Sequence, residues 1–116
     1  MNIVIVKWTI KKENESDFLE YWKSLSVNNT SGLFREFLSK VGDDELNTWP
    51  FPTDKYCVYI NVGIWESAEA FKREIGEYIN RPPKSFEAES RQRIILQSVS
   101  LDRGGKFILP SAMLNG

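Results

Sequence analysis

The sequence predicts an α+β fold, a ferredoxin-like β-α-β-β-α-β chain with an antiparallel sheet and both helices on one face. Three observations predict it. Four β-branched or apolar runs, at Ile3–Lys11, Leu33–Lys40, Tyr56–Trp65 and Arg93–Leu101, have strand length. Two amphipathic segments follow the first and third of these runs and no others. The third run is apolar on both faces, with Tyr56, Val58, Ile60, Val62 and Ile64 on one side and Cys57, Tyr59, Asn61, Gly63 and Trp65 on the other. A sheet with one solvated face should alternate apolar and polar. The uncovered face is therefore expected to pack on a second copy of the chain, making a symmetric homodimer through the open sheet face.

The elements follow in order. Ile3–Lys11 alternates weakly and reads as a strand buried on part of both faces. Asn14 is placed to cap the next helix, with Asp17 three residues on in a capping-box-like position. Phe18, Trp22 and Leu25 recur at i, i+4 and i+7 and form its apolar stripe, which Asn28-Asn29-Thr30-Ser31-Gly32 ends. Asp43–Asp54 is a long loop holding Trp49-Pro50-Phe51-Pro52, a stiff apolar segment that reads as a lid or as a contact with a partner subunit. Ser67 caps the second helix, whose stripe is Phe71, Ile75, Tyr78 and Ile79. Gly76 in that helix costs about 1 kcal/mol against alanine, which suggests close packing or simple tolerance. Pro82-Pro83 bars a continuous helix across 80–90, and Asp102-Arg103-Gly104-Gly105 breaks the fourth strand. The whole chain, 1–116, is expected to be one domain with its core in about 2–101 and a tail at 102–116.

Bulk properties exclude several classes. Fifteen basic and sixteen acidic residues leave no excess of positive charge, so nucleic acid and anionic membrane are not expected partners. Nothing approaches the roughly 20 apolar residues of a membrane span. The start, Met1 to Lys7, lacks the basic region of a signal peptide, so a cytoplasmic protein is expected. A single cysteine, Cys57, allows no internal disulfide and reads as core filler rather than nucleophile. The chain has no histidine, which removes Ser-His and Cys-His pairs and any imidazole ligand for zinc or haem. No metal site is expected.

The most informative stretch is Tyr59-Ile60-Asn61-Val62-Gly63-Ile64-Trp65-Glu66-Ser67-Ala68-Glu69-Ala70-Phe71, a strand running straight into a helix. Asn61 and Trp65 share one strand face with only Gly63 between them, which leaves a notch flanked by an amide and an indole. Asn61 is the candidate oxyanion donor and Trp65 the candidate stacking wall; together they are the candidate catalytic pair. Tyr59 and Gly63 are candidate substrate contacts, and Phe71 joins them while also reading as core. Each has a plainer reading: Trp65 as a core plug, Asn61 as a partner of nearby backbone, Gly63 as a bulge. Trp22 and Phe18 read as core, Trp8 as core or dimer interface, Arg35 as a ligand contact or a salt bridge, and Lys84, Arg91 and Arg93 as a solvated face.

On Gly32 opening the second strand, the run Tyr59 to Phe71 and the order of elements, the chain resembles the antibiotic biosynthesis monooxygenase (ABM) domains of the dimeric α+β-barrel superfamily. The likeness covers about residues 2–101. It implies a dimeric α+β barrel with a cavity between sheet and helices. It also implies oxidation of planar phenolic or quinoid, polyketide-like substrates by O2 without metal or flavin. Asn61 and Trp65 match the Asn and Trp that such enzymes carry four residues apart on the third strand. The haem-degrading branch uses a ligating His, which this chain lacks. A non-catalytic ligand-binding or assembly module, and an isomerase or lyase using a carboxylate or Tyr base, are the competing readings.

Overall fold

A computed structural model describes residues 1–25, 32–76, 81–99 and 101. Its elements are β1 (Asn2–Lys11), α1 (Glu15–Ser24), β2 (Leu33–Lys40), β3 (Tyr56–Trp65), α2 (Ala68–Ile75) and β4 (Gln92–Gln97). The four strands form one sheet in the order β2-β3-β1-β4, and every pairing is antiparallel. This is the ferredoxin-like α+β arrangement expected from the element order. The stop at Asn28–Ser31, the stripe residues Tyr78 and Ile79, and the tail after 101 lie outside the described residues. β4 is shorter than the run Arg93–Leu101 and ends at Gln97.

Register fixes which side chains share a face. Val4, Val6, Trp8 and Ile10 stand opposite Gly63, Asn61, Tyr59 and Cys57. Both helices pack on this face. Phe18 of α1, fully buried, meets Trp8 and Tyr59 with ring centroids 5.1 Å away. Phe86 closes the cluster, 5.7 Å from Phe18 and 5.3 Å from Tyr21. Burying Phe18 stabilises the fold by about 2–3 kcal/mol. At the other end, Phe71 of α2 meets the Trp65 ring edge-on at 5.4 Å. Gly32 makes that corner possible. Its φ is +85°, and a Cβ there would come within 2.9 Å of Ala70 Cβ, so α2 could not seat as closely against a larger residue.

The opposite face carries Ile3, Ile5, Phe37, Ile60, Val62, Ile64, Ile94 and Leu96, none of them fully buried. At the Thr9–Val58 end this face is covered, and both residues are buried. Phe51 lies there with the Lys7 ammonium 5.8 Å from its ring centre, while Trp49 remains exposed.

Several local expectations need correction. Asn14 precedes α1 but makes no side-chain cap; its amide donates to the Asp17 carboxylate instead, at 3.2 Å. Ser67 does cap α2, accepting from the Ala70 N–H at 3.1 Å. Gly63 pairs regularly on both sides and is no bulge; the irregularity lies between Leu33 and Arg35. Gly76 is exposed and closes α2, and a Cβ there would meet nothing, so close packing does not explain it. Arg91 is not on a solvated face. It ion-pairs with buried Glu87 at 2.9 Å and stacks over Trp8 at 4.6 Å. Arg93 is half-buried, and Lys84 sits over the Tyr21 ring at 4.8 Å. Among the described residues, no helix is long and apolar enough to cross a membrane.

Candidate functional site

Asn61 lies between the two aromatic clusters, on the helix-facing side of β3, with only 6% of its surface exposed. An amide so deep must be hydrogen-bonded, and it is. Trp22 Nε1–H, from α1, donates to Asn61 Oδ1 at 2.8 Å. Indole nitrogen only donates, so this contact fixes the amide orientation. Asn61 Nδ2 then faces β2 and donates to Glu36 Oε2 at 3.2 Å. The result is a polar line, Trp22 to Asn61 to Glu36, crossing an otherwise apolar interior. Trp22, which helical spacing places in the core, is partly buried and is also the donor that positions Asn61.

Glu36 has no distinguishing signal in the sequence. Its signal is visible only after pairing, which places it directly opposite Gly63 on β3. The β2 register shifts between Leu33 and Arg35, so alternation along Leu33–Lys40 does not reveal which side chains face the helices. Burial pushes the Glu36 carboxyl up from the usual range, and the Asn61 hydrogen bond pulls it partly back.

Gly63 is buried, and its notch is lined by neighbours already in place. A Cβ built there would lie 2.8 Å from Trp65 Nε1 and 3.5 Å from Glu36 Oε2. The indole of Trp65, 2% exposed, thus folds back along its own strand over Gly63. Phe71 backs that indole from α2 rather than lining the polar group. The structure therefore brings Asn61, Gly63 and Trp65 together, with Glu36 and Trp22 completing the group.

Tyr59 points into a different cluster. Its hydroxyl donates to Glu15 Oε2 at 2.6 Å, and Lys40 Nζ reaches the same oxygen at 2.6 Å. The Lys40 contact first, then the Tyr59 hydroxyl, lowers the Glu15 carboxyl to about 2. Burial, reinforced by Glu15, pushes the Tyr59 hydroxyl up, so it donates and does not serve as a base. Burial first, then Glu15, raises the Cys57 thiol too, which keeps it protonated and unreactive. Among the described residues, two further donors, Trp8 Nε1 and Arg93 Nε, are buried without a hydrogen-bond partner. Arg93 shares a register row with Asn61 through Val6. Among the described residues, no group of three His, Cys, Asp or Glu could hold a metal ion.

No protein-family model matches the chain. No curated protein matches its sequence either. Solved structures do. MhuD, crystallised as a mutant with two manganese protoporphyrin IX bound per active site, matches with TM-score 0.58 and 18% identity, over 90% of this chain and 100% of that one. A candidate antibiotic biosynthesis monooxygenase from Bacillus cereus matches with TM-score 0.51 and 13% identity, over 91% and 98%. SnoaB, a cofactor-independent oxygenase from Streptomyces nogalater, matches with TM-score 0.42 and 15% identity, over 86% and 95%. At these identities the first two likenesses show the fold, the ferredoxin-like α+β arrangement.

Proposed function

We propose that the chain is a cofactor-independent monooxygenase that acts with O2 on a planar phenolic or quinoid small molecule. The observation that carries this reading is the Trp22–Asn61–Glu36 hydrogen-bonded line beside Gly63 and Trp65. An electron-rich enolate or phenolate donates an electron to O2 by itself, so the protein has to bind the anion and exclude water. For an activated methylene the reaction consumes one O2 and turns the methylene carbon into a carbonyl, releasing one water. One oxygen atom enters the product; the other leaves in that water with the two methylene hydrogens. One N–H of Asn61 is committed to Glu36; the other is the donor for the developing oxyanion. Trp65, backed by Phe71, is the stacking wall.

The working unit in this reading is a single domain over residues 1–116, cytoplasmic, and a homodimer through the open sheet face. The row of half-buried Ile5, Val62 and Phe37 with exposed Ile94 supports the dimer, since a monomer would leave it partly in water. A metalloporphyrin ligand, as in MhuD, is a weaker fit because the chain has no histidine to ligate the metal. Mass spectrometry after turnover of an anthrone under isotopically heavy O2 tests the proposal. One labelled atom should appear in the quinone; unchanged substrate, or label absent from the product, would refute it.

A second reading is favoured by one observation: the Trp65 indole occupies the Gly63 notch. A module that only binds an apolar ligand, or only assembles, needs nothing more. Titrating a planar quinone against the protein while following Trp fluorescence separates the two, because binding without O2 consumption is its signature.

A further inference from the structure

We propose that Glu36 is the proton acceptor of this site, the carboxylate that takes the proton from the substrate's acidic O–H or C–H before O2 reacts. This rests on the monooxygenase reading and names the group that reading lacks. Four features of the geometry point to it. Glu36 stands opposite Gly63, the one position on β3 without a side chain of its own. Its Oε2 lies 3.5 Å from where a Gly63 Cβ would be, so the carboxylate borders the notch that the Trp65 indole occupies, and a ligand entering there meets both groups. Asn61 holds the carboxylate by one hydrogen bond at 3.2 Å, which leaves lone pairs for an incoming proton. Asn61 is held in turn by the Trp22 indole at 2.8 Å, so the acceptor is oriented from two other elements.

Alternatives within the fold are tied down. Tyr59 donates to Glu15, and Glu15 carries both Tyr59 and Lys40. Glu87 is committed to Arg91. Among the described residues, titratable groups on the face of Glu36 include Lys40 on β2, Cys57 and Tyr59 on β3, Glu15 and Tyr21 on α1, Arg93 on β4, and Arg91, which lies over Trp8 and pairs with Glu87. Burial raises the Glu36 carboxyl, which moves it toward the pH at which a base works best.

The proton balance closes. Glu36 carboxylate takes the first proton, leaving a carboxylic acid and a substrate anion. The anion adds O2 at carbon, forming a C–O bond, and the carboxylic acid returns its proton to the peroxide oxygen. In the final step Glu36 removes the remaining proton on that carbon, the O–O bond breaks, and hydroxide leaves and collects the proton as water.

The test uses the full chain and Glu36→Gln. Oxygen uptake on an anthrone should fall about 10²–10⁴-fold in Glu36→Gln, the span removed with a general base. The acid limb of the wild-type pH–rate profile should disappear with it. A second arm needs no turnover: 4-nitrophenol is titrated by absorbance in the presence of each protein. In the wild type the bound phenol competes with Glu36 for one proton, so its apparent pKa rises above the free value. In Glu36→Gln that rise is lost. Equal pKa values in the two proteins would overturn the proposal, as would failure of the wild type to bind the phenol. A raised pKa without any oxygen uptake would support Glu36 as acceptor and sink the monooxygenase reading alone.

Discussion

Replacing Gly63 by alanine would put a methyl carbon 2.8 Å from Trp65 Nε1. Comfortable contact for such a pair is about 3.5 Å or more, so the indole must retreat by roughly 0.7 Å. It has little room, being 2% exposed and wedged against Phe71 at 5.4 Å. Overpacking of this kind costs about 1–3 kcal/mol. Alanine returns about 0.4–1 kcal/mol by restricting the unfolded chain, so the net loss lies between about 0 and 2.6 kcal/mol, centred on about 1.3 kcal/mol. Urea unfolding followed by far-UV circular dichroism reads that loss as a lower midpoint with an unchanged slope. Trp65→Phe removes the offending nitrogen. In that background Gly63→Ala should cost nothing, giving a coupling of about 1 kcal/mol or more between the two sites. A Gly63→Ala protein as stable as wild type, with no coupling to residue 65, would refute the idea that the indole fills the notch.

Other predictions follow from the same geometry. Trp22→Phe leaves the buried Asn61 carbonyl without its donor and should lower unfolding free energy by about 1–3 kcal/mol, read from the urea midpoint. Glu15→Gln should destabilise by about 1 kcal/mol at neutral pH, the ion pair being discounted because Lys40 is half exposed. The Glu15 carboxyl is depressed in the folded state, so its contribution is full above the ordinary value of 4.5. It is lost as pH falls from there towards about 2, so wild-type and mutant thermal midpoints should converge over that window. Val62→Lys on the open face should convert a dimer to a monomer in sedimentation equilibrium, since Val62 lies between Ile5 and Phe37 there.

Much of the fold is legible in the sequence because period and length agree with the elements. β3 runs from Tyr56 to Trp65 as its continuous apolar run predicts, and Ser67 caps α2 as its side chain suggests. The parts that are not legible depend on pairing across the chain. Phe86 and Glu87 look like connection, yet the segment bridges to Ile10 and buries both side chains. Arg91 looks like surface charge until Glu87 and Trp8 are placed beside it. In the candidate site, Asn61, Gly63 and Trp65 can be grouped from spacing alone because they share one strand. Trp22 and Glu36 come from elements 39 and 25 residues away, and no local pattern links them to Asn61. The Gly63 gap reads as space in the sequence, whereas in the fold the Trp65 indole fills it.

The claim on which the rest depends is that Asn61 touches the reacting substrate. The initial rate of O2 consumption on an anthrone, measured with an oxygen electrode for wild type and Asn61→Ala at matched folded concentration, tests it most directly. The account predicts measurable wild-type uptake and a fall of about 10²-fold or more in the mutant, the usual effect of removing an oxyanion donor. Equal rates in the two proteins would contradict it.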